Sequence, residues 1–167
     1  MLRIFSILFF FVGKPLLALN YSLGTGYSEM NRGRSLPVLY GAFESEVWMT
    51  NIYTSGIQSQ VYYTNKYQAN VYKKIKFPEV FWGKIRGGLG IGFFYAQSQY
   101  RELDKTGDVK YYDFHLGPSG FFAWNFLGPI FISAEIYQGL GFSSGGISNL
   151  IYNTHRQNFA LIVGCRI

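Results

Sequence analysis

The stretch that decides the fold is Lys84-Ile85-Arg86-Gly87-Gly88-Leu89-Gly90-Ile91-Gly92-Phe93-Phe94-Tyr95-Ala96-Gln97-Ser98-Gln99-Tyr100. Read with a period of two, Ile85, Leu89, Ile91, Phe93 and Tyr95 form one set, all large and apolar. Lys84, Arg86, Gly88, Gly90, Gly92 and Ala96 form the other, charged or very small. A β-strand turns alternate side chains to opposite faces, so these sets belong to two different surroundings. A helix would gain nothing from the glycines, each costing about 1 kcal/mol relative to alanine. One face greasy enough for lipid, backed by a polar face tapered with glycine, predicts a strand of a transmembrane β-barrel.

Composition agrees. Of 167 residues, 20% are aromatic, 20 are glycine and only 14% are charged, against about 25% charged in soluble domains. Mean hydropathy is nonetheless +0.07. Past the N-terminus no run approaches the roughly 20 apolar residues of a membrane helix. Residues 1–18 read as a secretory signal peptide, with Arg3 as the basic start, Ile4 to Val12 as the apolar core and cleavage after Ala18. That leaves 19–167 as a single barrel domain. Without Arg3 and Lys14 the 15 basic residues fall to 13 against 9 acidic ones, a net charge of +4. The basic residues are scattered rather than gathered on one face, which speaks against nucleic acid. Cys165 is the lone cysteine, so neither a disulfide nor a thiol metal site is expected, and no cofactor is implied.

The rest of the chain repeats the alternation. Leu19 to Glu29 places Leu19, Tyr21, Leu23 and Tyr27 on one face, and Met30 to Pro37 reads as a loop. A strand from Val38 to Trp48 puts Leu39, Phe43 and Val47 outward and Tyr40, Glu44, Glu46 and Trp48 inward. The next strand is read around Ile57 to Tyr63 and a fourth from Tyr67 to Phe77, with Gln68, Asn70 and Tyr72 inward. After the polar loop 101–108, Val109 to Asn125 turns Tyr112, Phe114, Leu116, Phe122 and Trp124 outward and Asp113, His115, Gly117 and Ser119 inward. Ile130 to Phe142 turns Phe131, Ser133, Glu135 and Tyr137 inward. Residues 143–157 read as a long loop holding His155, and Phe159, Leu161, Val163, Cys165 and Ile167 form the outward face of the last strand. Eight strands fit this length better than ten. The predicted fold is all-β: an antiparallel up-and-down transmembrane β-barrel with a polar, filled interior. A secreted barrel of lipocalin type would have the opposite sense, with these charges in water around an apolar cavity. The apolar outward faces of the last four strands disfavour it.

With its signal peptide, amphipathic strands and apolar terminal residue, the chain resembles the small outer-membrane β-barrels of Gram-negative bacteria, among them the OmpA barrel domain, OmpX and the deacylase PagL. The resemblance implies an outer-membrane location, contact with outer-membrane lipid and lipopolysaccharide, and a terminal strand read by the barrel-assembly machinery through Phe159, Leu161, Val163 and Ile167. Such barrels usually end in phenylalanine; this chain ends in Ile167.

Glu44, Glu46, Lys84, Arg86, Asp113, His115, Glu135 and Arg166 fall on inward faces. Charges of both signs are what a dry lumen requires, since an unpaired buried charge is costly. They are expected to form a structural plug, with Arg86 and Glu135 meeting across it. Asp113, His115 and Ser98 supply the residue types of a Ser/His/Asp triad without evidence of its geometry. The His-x-Ser pair of PagL-type enzymes has no counterpart in Glu135-Ile136-Tyr137-Gln138-Gly139. The expectation is therefore a non-enzymatic barrel whose loops serve adhesion, lipopolysaccharide contact or envelope integrity. A lipid A-modifying enzyme or a small passive channel is the alternative.

Overall fold

A computed structural model describes residues 20–30, 34–58, 62–77, 83–101, 108–145 and 150–167. The proposed signal peptide lies outside the described residues. Eight strands run β1 Asn20–Met30, β2 Arg34–Glu44, β3 Trp48–Gln58, β4 Tyr62–Ile75, β5 Lys84–Arg101, β6 Asp108–Leu127, β7 Ile130–Gly145 and β8 Leu150–Arg166. Each pairs antiparallel with its neighbours in sequence, and β1 pairs with β8 to close the barrel. Closure satisfies the backbone groups that an open sheet edge would expose, the condition for crossing a bilayer with strands. Asn20, Ile167 and the ends of β2, β4 and β6 share one end of the barrel, here the turn end. The other is the loop end. The wall is uneven in length, since β1 to β3 have 11 residues each whereas β5 to β8 have 16 to 20.

The alternation in β5 sorts as its sequence predicts. Leu89, Ile91 and Phe93 are exposed, whereas Arg86, Gly88, Gly92, Phe94 and Ala96 are buried. Glycine is required where lumen side chains cross the strand. A Cβ on Gly88 would lie 2.6 Å from the Phe121 ring, and one on Gly92 would lie 2.7 Å from the Tyr137 ring. The interior is filled, as expected for eight strands. Tyr72, Phe94, Phe131, Met49, Ile162, Gln68, Glu44 and Glu135 are all under 2% exposed. It is more mixed than the charges suggest, with an apolar cluster of Val38, Tyr40, Met49, Tyr53, Tyr72, Phe121, Phe131 and Ile162 between polar layers.

Four expectations need correction. β2 starts at Arg34 rather than Val38, so Pro37 sits within it. It does so beyond Leu39, where β2 pairs with β1 but no longer with β3, and a missing N–H is tolerated there. β2 also ends at Glu44 instead of Trp48. Ser45 reverses the chain, its N–H donating to the Trp48 carbonyl (2.9 Å) and its Oγ accepting from the Trp48 N–H (3.0 Å). Trp48 therefore opens β3 and is 51% exposed rather than inward. The third strand is Trp48–Gln58, not 57–63. Finally, most of the expected loop 143–157 is ladder, with Leu140 paired to His155 and Gly145 to Leu150.

Candidate functional site

Three polar layers stack along the lumen. At the turn end Glu44, 1% exposed, is the common acceptor of three cations. Arg86 Nη1 pairs with its Oε1, while Lys74 Nζ lies 3.4 Å and Arg166 Nη2 3.8 Å from Oε2. Arg86 is further held by Asn125, which accepts from Nε at 2.8 Å, and by the Phe131 ring, 5.3 Å from the guanidinium carbon. Lys74 Nζ also donates to the Ser45 carbonyl at 2.7 Å. The partners come from β2, β4, β5, β6, β7 and β8, so the layer ties the barrel wall together across its diameter. Glu46 and Lys84, expected in the lumen, do not join it. Both are exposed, Glu46 because the Ser45 turn takes it off the strand and Lys84 because it opens β5 at the rim.

The middle layer holds Glu135, 1% exposed, and Arg86 does not meet it. Asn51 Nδ2 instead donates to both carboxyl oxygens, at 2.6 and 2.7 Å, and the Tyr72 hydroxyl donates to Oε2 at 3.0 Å. Asn51 Oδ1 accepts from Asn70 (2.8 Å), Asn70 Oδ1 from Gln68 (3.0 Å), and Gln68 Oε1 from Asn158 (2.7 Å). Ser28 Oγ closes the chain on Asn158 Oδ1 at 2.6 Å. Amides suit this role because each both donates and accepts, so a row of them leaves few buried polar atoms without a partner.

The loop-end layer contains Asp113 and His115. His115 is 2% exposed; its Nε2 lies 2.6 Å from Thr154 Oγ1, which lies 3.3 Å from Ser143 Oγ. Ser143 donates to Asp113 Oδ1, and Arg156 Nη2 lies 3.4 Å from Asp113 Oδ2 while its guanidinium carbon stacks 4.5 Å from the centre of the Phe94 ring. Ser98 belongs elsewhere, sharing a 2.9 Å hydrogen bond with Thr64. The carboxylate thus binds a serine and an arginine rather than the imidazole, and His115 Nδ1 has no hydrogen-bond partner among the described residues. The nucleophile–base–orienter order that activates a hydroxyl is not assembled. Thr154, Ser143 and Arg156 were outside the sequence-derived set because 143–157 reads as a loop. Gln68, Asn70 and Tyr72 were on the inward parity, but nothing in their spacing marked them as partners of Glu135.

Outside, the wall carries two aromatic girdles. Near the loop end, Tyr67, Tyr95, Phe114 and Phe142 are paired across four successive strands, with ring centres 6.2, 4.8 and 5.5 Å apart along the row. Near the turn end, Tyr21 packs on Phe43 (5.4 Å), Phe77 on Phe122 (6.2 Å) and Trp124 on Phe126 (5.4 Å). Between them Leu39, Val71, Leu89, Ile91, Ile136, Leu161 and Val163 are exposed. From Phe114 to Trp124 along β6, a rise of about 3.3 Å per residue and a tilt near 40° give about 25 Å, the height of an outer-membrane apolar band. Ile167, 74% exposed, continues the outward row of Phe159, Leu161 and Val163, and its backbone pairs with Tyr21 in both directions (2.8 and 3.3 Å).

No known family model matches the chain, and no curated protein matches it in sequence. Solved structures do match its shape. The N-terminal β-barrel domain of Pseudomonas aeruginosa OprF superposes with a TM-score of 0.55 at 12% identity, covering 89% of this chain and 97% of that one. Neisserial surface protein A gives 0.50 at 9%, covering 89% and 94%. Ail, the attachment invasion locus protein of Yersinia pestis, in complex with the heparin analogue sucrose octasulfate, gives 0.51 at 13%, covering 89% and 97%. The chain has the fold of the small eight-stranded β-barrels of Gram-negative outer membranes.

Proposed function

We propose that this protein is a non-enzymatic integral barrel of a Gram-negative outer membrane, delivered there after removal of residues 1–18, with its loop end at the cell surface. The observation that carries the reading is the pair of aromatic girdles bounding an apolar belt of about 25 Å, a surface suited to a bilayer and not to water. Adhesion, lipopolysaccharide contact and envelope integrity are functions of such a surface. They also suit the likeness to Ail, a protein named for attachment. The filled lumen argues against a passive channel, and the separation of Asp113 from His115 argues against a lipid-modifying enzyme. Assembly by the barrel-assembly machinery rests on Phe159, Leu161, Val163 and Ile167.

The test is fractionation of cells with N-terminal sequencing, followed by trypsin treatment of intact cells. The mature protein should start at Leu19, sit in the outer membrane, run differently on a gel before and after boiling, and be cut near Lys105. A soluble periplasmic protein, or an intact Met1, overturns the reading. Incubation with lipid A should release no acyl chain; a loss that disappears in His115→Ala would establish the enzyme instead.

A further inference from the structure

The apolar belt is not level. On β7 the exposed apolar residues continue through Leu140 to Phe142, whereas on β8 Phe159, which pairs with Ile136, is followed toward the loop end by three polar outward residues. Beyond it the outward positions of β8 are Gln157, His155 and Asn153, all exposed. Gln138, facing outward between Ile136 and Leu140, meets His155 at 3.1 Å (Nε2 to Nε2). A row of amides and an imidazole thus cuts into a wall otherwise made for lipid.

A groove of about 610 Å³ lies in the angle of this step, within the range of about 300–1,000 Å³ typical of small-molecule sites. Leu89, Pro118, Ile136 and Phe159 give it apolar walls, and Gln138 and Gln157 its polar edge. Gly120, on the outward parity and without a side chain, lies in its floor; a Cβ there would reach Leu89 Cδ2 at 3.3 Å and Ile136 Cγ1 at 3.6 Å. The ladder between β6 and β7 is also interrupted beside it, running from Leu116–Leu140 to Ser119–Tyr137 without Gly117 or Pro118. Proline has no N–H to give to that ladder.

We propose that this groove seats one acyl chain of a membrane lipid, and that Gln138 and Gln157 select chains carrying an amide linkage or a hydroxyl close to the headgroup. The proposal rests on the membrane-spanning reading, which supplies the occupant: a hollow in a lipid-facing wall is filled by lipid. Its chemistry follows from the edge. Side-chain amides both donate to carbonyl oxygens and accept from N–H or O–H groups, and a plain ester offers only the acceptor half. Among the described residues no lysine or arginine lines the groove, and Glu29 does. The site therefore reads the linkage region of the lipid and not its phosphate.

Native mass spectrometry of the detergent-folded protein tests this with three probes: lipid A, monophosphoryl lipid A and phosphatidylglycerol. Lipid A and its monophosphoryl form should be retained alike, each at least tenfold more tightly than phosphatidylglycerol. Gly120→Leu fills the groove against side chains that can give way, so the barrel should fold and lose most lipid A retention. Gln138→Leu should keep chain binding but lose the preference over phosphatidylglycerol. Equal retention of lipid A and phosphatidylglycerol by the wild type, unchanged retention in Gly120→Leu, or a marked loss with the monophosphoryl form overturns the proposal. A boiling-dependent gel shift and insertion into liposomes are scored on the same samples. A protein that inserts but does not discriminate refutes the lipid seat alone; one that does not insert refutes the membrane reading with it.

Discussion

Glu44→Gln should be the most damaging single-atom change in the lumen. The substitution keeps the shape of the side chain and removes the one carboxylate shared by Arg86, Lys74 and Arg166. The three cations do not weigh equally. Lys74 and Arg166 are 18% and 25% exposed, so water can solvate them when the carboxylate is lost, and each contributes on the order of 0–1 kcal/mol. Arg86 is 6% exposed and would stay buried with only Asn125 and the Phe131 ring as partners. Removing one member of a buried pair costs about 3–5 kcal/mol, so the Arg86 share dominates the expected loss.

The assay is urea unfolding of the folded barrel in lipid vesicles, followed by tryptophan fluorescence and by the gel shift on boiling. A loss of about 3–5 kcal/mol at unchanged slope moves the midpoint by about 1–5 M for a slope of about 1–3 kcal/mol per molar urea. The double variant Glu44→Gln with Arg86→Gln removes both charges together. It should be less destabilised than the sum of the two single variants, because the stranded cation is gone. A single-variant loss below about 1 kcal/mol, or strict additivity in the double variant, would refute the reasoning.

Further perturbations probe the other layers. Tyr72→Phe removes one of the three hydrogen bonds to Glu135 and should cost about 1–3 kcal/mol; Asn51→Leu removes the other two and should cost more in the same assay. Gly92→Val pushes a side chain onto the Tyr137 ring and Asn70, so it should lower the yield of folded barrel, an overpacking cost of about 1–3 kcal/mol. Ile91→Arg, on the lipid face between the girdles, should destabilise by about 2–4 kcal/mol, while Lys110→Arg, exposed on the loop-end side of Phe114, should unfold like the wild type. Ile167→Asp should reduce folded protein in cells while Ile167→Phe preserves it, and equal cellular yields would deny the terminal strand a recognition role.

How far the fold was legible depended on contrast between faces. β5 was plain because its inward positions are glycine and its outward ones are Leu, Ile and Phe. β3 was not, because its contrast is blurred: Thr50, Thr54 and Gly56 face out beside Trp48 and Ile52, while Met49 and Tyr53 face in beside Asn51 and Ser55. A bilayer tolerates threonine and glycine on the outside, and a filled lumen welcomes methionine and tyrosine, so neither face announced itself. β8 was shortened for a related reason. Asn153, His155 and Gln157 are outward strand residues beyond the apolar belt, and their polarity resembles that of a loop. Parity put Glu44, Arg86, His115 and Glu135 on the buried side but Glu46, Trp48 and Lys84 on the wrong one, and it gave no heights. Arg86 lies near the start of β5 at the turn end, while Glu135 lies further along β7. The carboxylate at Arg86's height is Glu44, whose place could be known only once β2 was seen to end there.

The layering also bears on where function can reside. An eight-stranded barrel has just enough interior for side chains, and here that interior is occupied from the Glu44 cluster through the Glu135 amide row to the His115–Thr154 layer. Each layer draws partners from across the barrel, so a conducting path would have to break several buried polar contacts at once. Buried networks of this kind rigidify a structure when fully satisfied and are costly when half satisfied. The Glu135 amide row is of the satisfied kind, whereas Arg166 Nε and His115 Nδ1, in the layers on either side, have no hydrogen-bond partner among the described residues. Outside, the wall departs from a level apolar belt beside Gly120. On the wall, Gln138 and Gln157 occupy outward positions where leucine would serve a purely structural barrel better. That cost is offset within the protein, where Gln138 meets His155 at 3.1 Å, and on the proposed reading the bilayer side of the same edge is where a lipid would be read.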